Sequence, residues 1–267
     1  MNLQCCGITD VGKHRSSNED AFLIIALDGQ SVVPDALPVR TELSAQVPVE
    51  GMLLVVSDGI GGSNAGEVAS SIAVNTLYGG LRDASQTEDV VPFLSGVIRQ
   101  ADAAVRDASS KTPECAGMGA TLTALWMRPS GAALAHAGDS RLYRFRNEVL
   151  SQLSTEHSPV GRMRANGEIT EEQARNHRLK HLIDQSLGGP EELFAPEIVP
   201  VELASGDVYL ICSDGLTDAV ADSEIQAVMK QVVEGATVPS EGAAFLIQTA
   251  NEVYGKDNLT VVIAYIR

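Results

Sequence analysis

Two apolar runs in this chain end in the same tripeptide. LLVVSDGIGG at Leu53–Gly62 and VYLICSDGLTD at Val208–Asp218 each read as a β-strand closed by Ser-Asp-Gly. Each therefore delivers a carboxylate at a strand end, followed by a residue that lets the backbone turn sharply or approach another group closely. Asp-Gly is also a good turn dipeptide, and either copy alone reads more readily that way. If the two strands lie in adjacent sheets, their ends can converge. The fold must then bring acids from distant parts of the chain together.

Composition supports an ordinary globule. With 267 residues, 44% of them hydrophobic, the chain can bury a core without staples. Its formal net charge of −16 offers no footprint for nucleic acid and invites cations instead. The longest unbroken apolar stretch, Ala21 to Leu27, falls far short of a membrane span. The N-terminus has no apolar signal core, and the adjacent Cys5 and Cys6 with isolated Cys115 and Cys212 suit neither a disulfide framework nor a zinc knuckle. These features read as a reduced, cytoplasmic protein without membrane or nucleic-acid partners, and a monomer is expected.

Periodicity predicts strands at Asn2–Thr9, Ala21–Asp28 and Gly51–Ser57, with a surface loop from Gly29 to Glu50. Helical spacing follows at Ala65–Leu81, with Val68, Ile72, Val74, Leu77 and Leu81 on one face, and at Asp89–Ser109, with Val90, Leu94, Val97, Ile98 and Val105 on another. From Ala120 the runs ATLTALWM, AALAHAG, RLYRF and VLSQLS read as an antiparallel meander. Residues 155–195 are polar and mixed in charge, an inserted segment with weak short helices. Strands return at Glu197–Leu203 and Asp207–Cys212, helices at Asp222–Glu234 and Ser240–Tyr254 with Gly255 as C-cap, and LTVVIAYI closes the chain. Strand blocks alternating with helix pairs, without βαβ regularity, predict an α+β fold of antiparallel sheets covered by helices.

Further acids fall at strand ends: Glu19 and Asp20 in RSSNEDAF, Asp139 in HAGDSRLYRF, Asp218 after the second echo, and Asp257 in KDNLTVV. Two carboxylates about 5 Å apart repel by roughly 3 kcal/mol at an effective dielectric near 20. A gathering of them implies cations, and oxygen-only ligands favour Mg²⁺ or Mn²⁺. Other hydrolase chemistries fail on the residues: no Cys has Arg six positions on, no Gly-Lys-Ser or Gly-Lys-Thr occurs, Gly61-Gly62-Ser63-Asn64-Ala65 misses a nucleophile elbow, and no histidine pair has H-E-x-x-H spacing. An EF-hand loop is also missing from the sequence, against a Ca²⁺ module.

RSSNEDAF, SDGIGG with Gly66-Glu67, GMGATLTAL, HAGDSRLYRF, CSDGLTD and KDNLTVV occur in the order seen in the 2C-type, metal-dependent (PPM) serine/threonine protein phosphatases, which the chain resembles from about Cys6 to Tyr265. The resemblance implies a single domain over 1–267, a two-sheet antiparallel β-sandwich flanked by helix pairs (αββα), with residues 155–195 as its flap. It implies two Mg²⁺ or Mn²⁺ ions, Asp58 bridging them, the Gly59 carbonyl completing one, and Asp214 and Asp257 binding the other. Glu19 and Asp20 would act mainly through metal-bound water, and Arg15 would clamp the substrate phosphate. Asp139 and Asp218 resemble ligands of a third, weaker metal, though Asp139 can equally buttress its loop by pairing with Arg141, and Arg15 can pair with Glu19. Gly117, Gly119 and Thr121 would shape packing beneath the site.

The implied reaction is hydrolysis of phosphoserine and phosphothreonine on proteins by a metal-bridging water, opposing a protein kinase. An inactive relative that senses phosphoproteins is the competing reading, against which the intact Asp58, Asp214 and Asp257 argue. One departure stands out. Ile60 replaces the histidine general acid that many eukaryotic members carry two residues after the bridging aspartate, which leaves His14 and His157 as rivals for that role.

Overall fold

Apolar runs without polar alternation, such as MLLVVS and LTVVIAYI, need cover on both faces. The computed structural model describes residues 1–31, 37–61, 65–82, 90–190 and 194–267, and there the cover comes in four layers, helix, sheet, sheet, helix. The first elements are β1 (Asn2–Asp10), β2 (Asp20–Ala26), β3 (Arg40–Gln46), β4 (Met52–Ile60), α1 (Ala65–Arg82) and α2 (Val90–Lys111). Next come β5 (Gly119–Ala120), β6 (Leu122–Arg128), β7 (Gly131–Ala137), β8 (Arg141–Arg146) and β9 (Val149–Gln152). The remainder is α3 (Pro159–Ala165), α4 (Glu171–Arg175), β10 (Glu197–Val201), β11 (Val208–Cys212), α5 (Asp214–Ala219), α6 (Asp222–Glu234), α7 (Pro239–Val253) and β12 (Leu259–Ile266).

One sheet runs β3-β1-β12-β11-β8-β9; the other runs β10-β7-β6-β4-β2, with β5 added beside the end of β4. All named pairings are antiparallel. The two-residue period of a strand sorts its side chains between layers. Leu23, Ile25, Leu53 and Val55 face α1 and α2, while Phe22, Ile24, Leu54 and Val56 fill the space between the sheets. In the other sheet Val261 and Ile263 meet the layer of α6 and α7, and Val262 and Ala264 point inward. The α+β sandwich expected from the strand and helix blocks is what forms.

Four expectations need correction. The 29–50 stretch is not all loop: β3 pairs with β1 as an edge strand, and its alternating half-exposed residues give no apolar signal. The run from Ala120 is not one meander. β6 and β7 form a hairpin in one sheet, β8 and β9 a hairpin in the other, and the chain crosses between sheets at Gly138-Asp139-Ser140. The second Ser-Asp-Gly opens a short helix, α5, that the spacing did not predict. In α1, Val68 faces solvent while Ala69 and Ala73 are buried beside Val74, Leu77 and Leu81. Gly62 of the first echo, Ser63 and Asn64 of the missed nucleophile elbow, and Asp89 of the expected second helix lie outside the described residues. Gly255 follows the end of α7 at φ +55°, the left-handed C-terminal glycine that was expected.

The crossover depends on Gly138, at φ +116°, where a Cβ would also stand 2.6 Å from Thr121 Cγ2. Gly138→Ala should therefore cost about 2 kcal/mol or more, combining backbone strain with overpacking. A urea midpoint equal to that of the unsubstituted protein would contradict this account.

Candidate active site

The ends of β2, β4, β7 and β11, with the loop before β12, meet at one edge of the sandwich. Asp20 opens β2 directly opposite Asp58 in β4. The Asp58 backbone is clamped by Thr121, whose Oγ1 accepts from the Asp58 N–H (2.9 Å) and whose own N–H donates to the Asp58 carbonyl (2.8 Å). Thr121 Oγ1 also lies 2.9 Å from Ser140 Oγ, which fixes the crossover loop that carries Asp139. Thr121 is thus a brace for the site, in keeping with the packing role expected for it.

Neither echoed Asp-Gly is a turn. Asp58-Gly59 lies inside β4 and Asp214-Gly215 starts α5, and neither glycine has a positive φ. Both are needed for close backbone approach: a Cβ on Gly59 would collide with the Gly66 carbonyl, and one on Gly215 with the Asn258 carbonyl. Asn258 links the two halves. Its Oδ1 accepts from the Glu19 N–H (2.8 Å), and its Nδ2 donates to the carbonyls of Val11 (3.0 Å) and Ser17 (2.9 Å). The loop bearing Arg15 is thereby tied to the loop bearing Asp257.

A cleft of about 220 Å³ opens there, lined by Arg15, Glu19, Asp58, Gly59, Asp139, Asp214 and Asp257. Asp20 lies beneath it, buried, with Oδ2 accepting from Ser213 (2.7 Å) and Thr260 (2.6 Å) and with Oδ1 lacking any partner. Arg15 sits half-exposed at the rim and pairs not with Glu19 but with Asp257, its Nη2 2.8 Å from Oδ1 and 3.0 Å from Oδ2. Nor does Asp139 pair with Arg141, which instead contacts Glu156, Tyr143 and Glu171. Asp218 is outside the cleft, in an adjoining small pocket that Asp139 and Asp214 also line, and its Oδ2 accepts from Lys180 Nζ at 2.6 Å.

His181 and Ile183 also line the cleft. Sequence reasoning assigned His181 no role, yet its ligand atom, that of Asp214 and that of Asp218 lie within 4.8 Å of one another. Only the fold shows this, because no residue spacing links position 181 to 214. The expected rivals fare differently: His14 is exposed and does not line the cleft, and His157 Nδ1 accepts from the Gly138 N–H at 3.2 Å. Burial pulls the His157 imidazole below its ordinary pKa, which keeps it neutral.

Packing these acids together perturbs Asp20, Asp58, Asp139 and Asp214. Burial, then the charges of Asp20, Asp214, Asp139 and Asp257, pushes Asp58 well above the usual carboxylate range. Asp214 is raised likewise by burial, Asp139 and Asp218. Burial and Glu156 push Asp139 up to about 7. Burial raises Asp20 to about 6 despite the two hydroxyl hydrogen bonds that oppose it. Gathered, partly buried carboxylates, an orphaned Asp20 Oδ1 and the oxygen donors of Asp58, Gly59, Asp214 and Asp257 fit hard divalent cations such as Mg²⁺ and Mn²⁺.

An acid-lined, metal-fitting cleft between two antiparallel sheets with helices outside defines a class of metal-dependent hydrolase. The family profile for protein phosphatase 2C matches residues 17–248. The serine/threonine phosphatase stp of Listeria monocytogenes is 34% identical over 214 residues, 79% of this chain and 83% of that protein. The crystal structure of the Mycobacterium tuberculosis serine/threonine phosphatase PstP superposes with a TM-score of 0.81 at 31% identity, covering 100% of both chains. The PstP catalytic domain in complex with two manganese ions gives 0.79 at 31% identity, covering 100% of this chain and 99% of that one. This chain belongs to the protein phosphatase 2C family, alongside its bacterial serine/threonine phosphatases.

Raised carboxylate pKa values make the site a pH-dependent burden on the metal-free fold. The unfolded chain releases these protons near the ordinary value of 3.8, whereas the fold still holds them up to about 6 at Asp20 and about 7 at Asp139. Stability contributed by those protons is complete below the lower value and is lost as pH rises through the higher ones. The melting temperature of metal-free protein should fall between pH 5 and pH 8 and, at pH 8, rise again with Asp139→Asn. Mn²⁺ should raise it more at pH 8 than at pH 5, because metal competes with protons for the same oxygens. Differential scanning fluorimetry with and without chelator checks both signs.

Proposed function

We propose that the chain hydrolyses phosphoserine and phosphothreonine esters on proteins, opposing a serine/threonine kinase in signalling. We take it to act as one catalytic domain over 1–267, with 155–195 as its flap, in the cytoplasm and as a monomer. The observation that carries this reading is the convergence of Asp20, Asp58, Asp139, Asp214 and Asp257 from both sheets on one cleft with Arg15 at its rim. The buried free thiols of Cys5, Cys6 and Cys212 support a reducing compartment. Among the described residues no helix is long and apolar enough to cross a membrane.

In this reading Asp58, the Gly59 carbonyl, Asp214 and Asp257 hold two divalent cations, and Glu19 and Asp20 orient waters on them. Asp139 and Asp218 form the edge of a third site, where Lys180 is also anchored. The bound cations would lower the pKa of an attacking water and offset charge on the phosphoryl group. Arg15 binds the phosphate: its Nη2 already reaches both oxygens of a carboxylate, and a guanidinium fork suits the oxygens of a phosphate. The Asp20 carboxylate, held on one oxygen by Ser213 and Thr260, keeps its other oxygen free to orient or accept from water.

Phosphate release should vanish with EDTA and return with Mn²⁺ or Mg²⁺ but not with Zn²⁺ alone. Asp58→Ala or Asp214→Ala should lower turnover by at least about a hundredfold. Arg15→Ala should raise KM and leave metal affinity nearly intact, because the guanidinium contacts substrate. Full activity in chelator overturns the reading, and a loss of metal affinity in Arg15→Ala equal to that of Asp58→Ala reassigns Arg15 to support.

Ile60, 38% exposed at the cleft, can donate no proton to the departing oxygen. Rates on aryl phosphates should rise steeply as the leaving phenol becomes more acidic, and Ile60→His should flatten that slope. A shallow wild-type slope that steepens in His181→Ala would show that the cleft histidine already supplies the proton.

A further inference from the structure

Asp102 is a carboxylate in the wrong place for a solvent-facing helix. It sits in the middle of α2 with its side chain 2% exposed, among the apolar residues that cover the outer face of the second sheet. None of the residues lining the cleft comes from α2. A buried carboxylate on an apolar helix face is costly unless something takes its charge and lone pairs. Arg106, one turn on, takes Oδ2 at 2.5 Å, and Oδ1 accepts the Gly188 N–H at 2.9 Å. Arg106 Nη1 also donates to the Gly189 carbonyl at 3.4 Å. The pair therefore grips the backbone of two consecutive glycines where the 155–190 segment returns to the sandwich.

That grip is relayed. Gly188 adopts φ +82° and has no room for a Cβ, which would stand 2.7 Å from both the Met118 carbonyl and Val105 Cγ1. The residue before it, Leu187, is fully buried and exchanges both backbone hydrogen bonds with Ala120, at 3.1 and 2.8 Å. Ala120 pairs in turn with Gly59 beside the bridging position, and Thr121 with Asp58. Four to seven residues upstream of Leu187, Lys180 holds Asp218 while His181 and Ile183 line the cleft. The distance from anchor to cleft is thus a few residues of backbone.

We propose that Asp102 is a positioning residue: with Arg106 it clamps the exit of the 155–190 segment and so sets how that segment lies over the cleft when a phosphorylated polypeptide binds. The inference rests on the phosphatase reading above. A small aryl phosphate sits on Arg15 and the carboxylates and needs no seat on the segment, whereas a peptide must pass beneath it.

In Mn²⁺-loaded full-length protein, Asp102→Ala should raise KM for a phosphothreonine peptide about tenfold, the scale of one hydrogen bond to a charged group. Its kcat, its kcat/KM on para-nitrophenyl phosphate and its Mn²⁺ affinity by calorimetry should stay within about twofold, since no cleft residue is touched. Asp102→Asn, which keeps the Oδ1 acceptor, should restore the peptide KM. Hydrogen exchange at the amides of Leu187 and Gly188 should quicken in the alanine variant and return in the asparagine one. Equal losses on both substrates, no change on either, or failure of Asp102→Asn to rescue would overturn the clamp. If Asp102→Ala does not fold, Arg106→Ala, at a side chain 26% exposed, should show the same split between substrates. A wild-type protein that releases phosphate from neither substrate defeats the phosphatase reading instead, and the exchange at Leu187 still decides the clamp.

Discussion

Mutual repulsion among carboxylates that the backbone will not let apart is the constraint around which this molecule is arranged. Asp20 and Asp58 face each other across two hydrogen-bonded strands, and Asp214 and Asp257 are brought to them from the other sheet. Strands in register cannot slide to relieve a pair at their ends, because a shift of one residue would turn every buried side chain of β2 and β4 to the wrong layer. The interior of the sandwich thereby holds the acids in place at its edge. The close backbone approach behind this depends on Gly59 against Gly66 and Gly215 against Asn258, where no side chain separates the two backbones.

Part of this was legible in sequence and part was not, and the difference is physical. Strands buried on both faces announce themselves by unbroken apolar runs, so β2, β4, β11 and β12 were readable, as were α6 and α7 from their spacing. β3 was not, since an edge strand with a polar outer rim lacks either signal. Which sheet a hairpin joins is a tertiary fact: the runs from Ala120 look alike, yet Gly138 sends β8 to the opposite sheet and so puts Asp139 between the two. The acids at strand ends were visible as a set because each interrupts an apolar run. His181, Lys180, Asn258 and Asp102 were invisible because nothing local distinguishes a polar residue on an inserted segment, loop or helix from a solvated one.

The 155–190 segment is fastened by charge rather than by a core. At its entrance Arg141, buried on β8, meets Glu156 and Glu171; Arg164 joins the same two acids at 3.1 and 2.7 Å, and Tyr143 carries the network to Asp222 at the start of α6. At its exit the fastening is Asp102 with Arg106. Between these anchors the segment has few buried apolar residues, Val160 and Ala174 among them, and Lys180 ties it to Asp218 of α5.

Comparing the buried acids with one another separates architecture from chemistry. Asp207 is 1% exposed, and burial alone would raise it, but Arg146 takes both of its oxygens at 2.6 Å and, with the Ala204 N–H, holds it below the usual range. Glu156 and Asp102 likewise have arginines against them. Each of these carboxylates has its charge answered by the protein, as a buried structural acid must. Among the described residues no guanidinium pairs directly with Asp58, Asp139 or Asp214, and Asp20 is hydrogen-bonded only to hydroxyls, so burial and their acidic neighbours drive all four upward. A chain that sets arginine directly against Asp102, Glu156 and Asp207 and against none of the four acids at one sheet edge leaves there a negative site that a partner from outside can satisfy. The countercharge that fits is compact, multivalent and ligated by oxygen, which is the physical content of metal dependence in this fold.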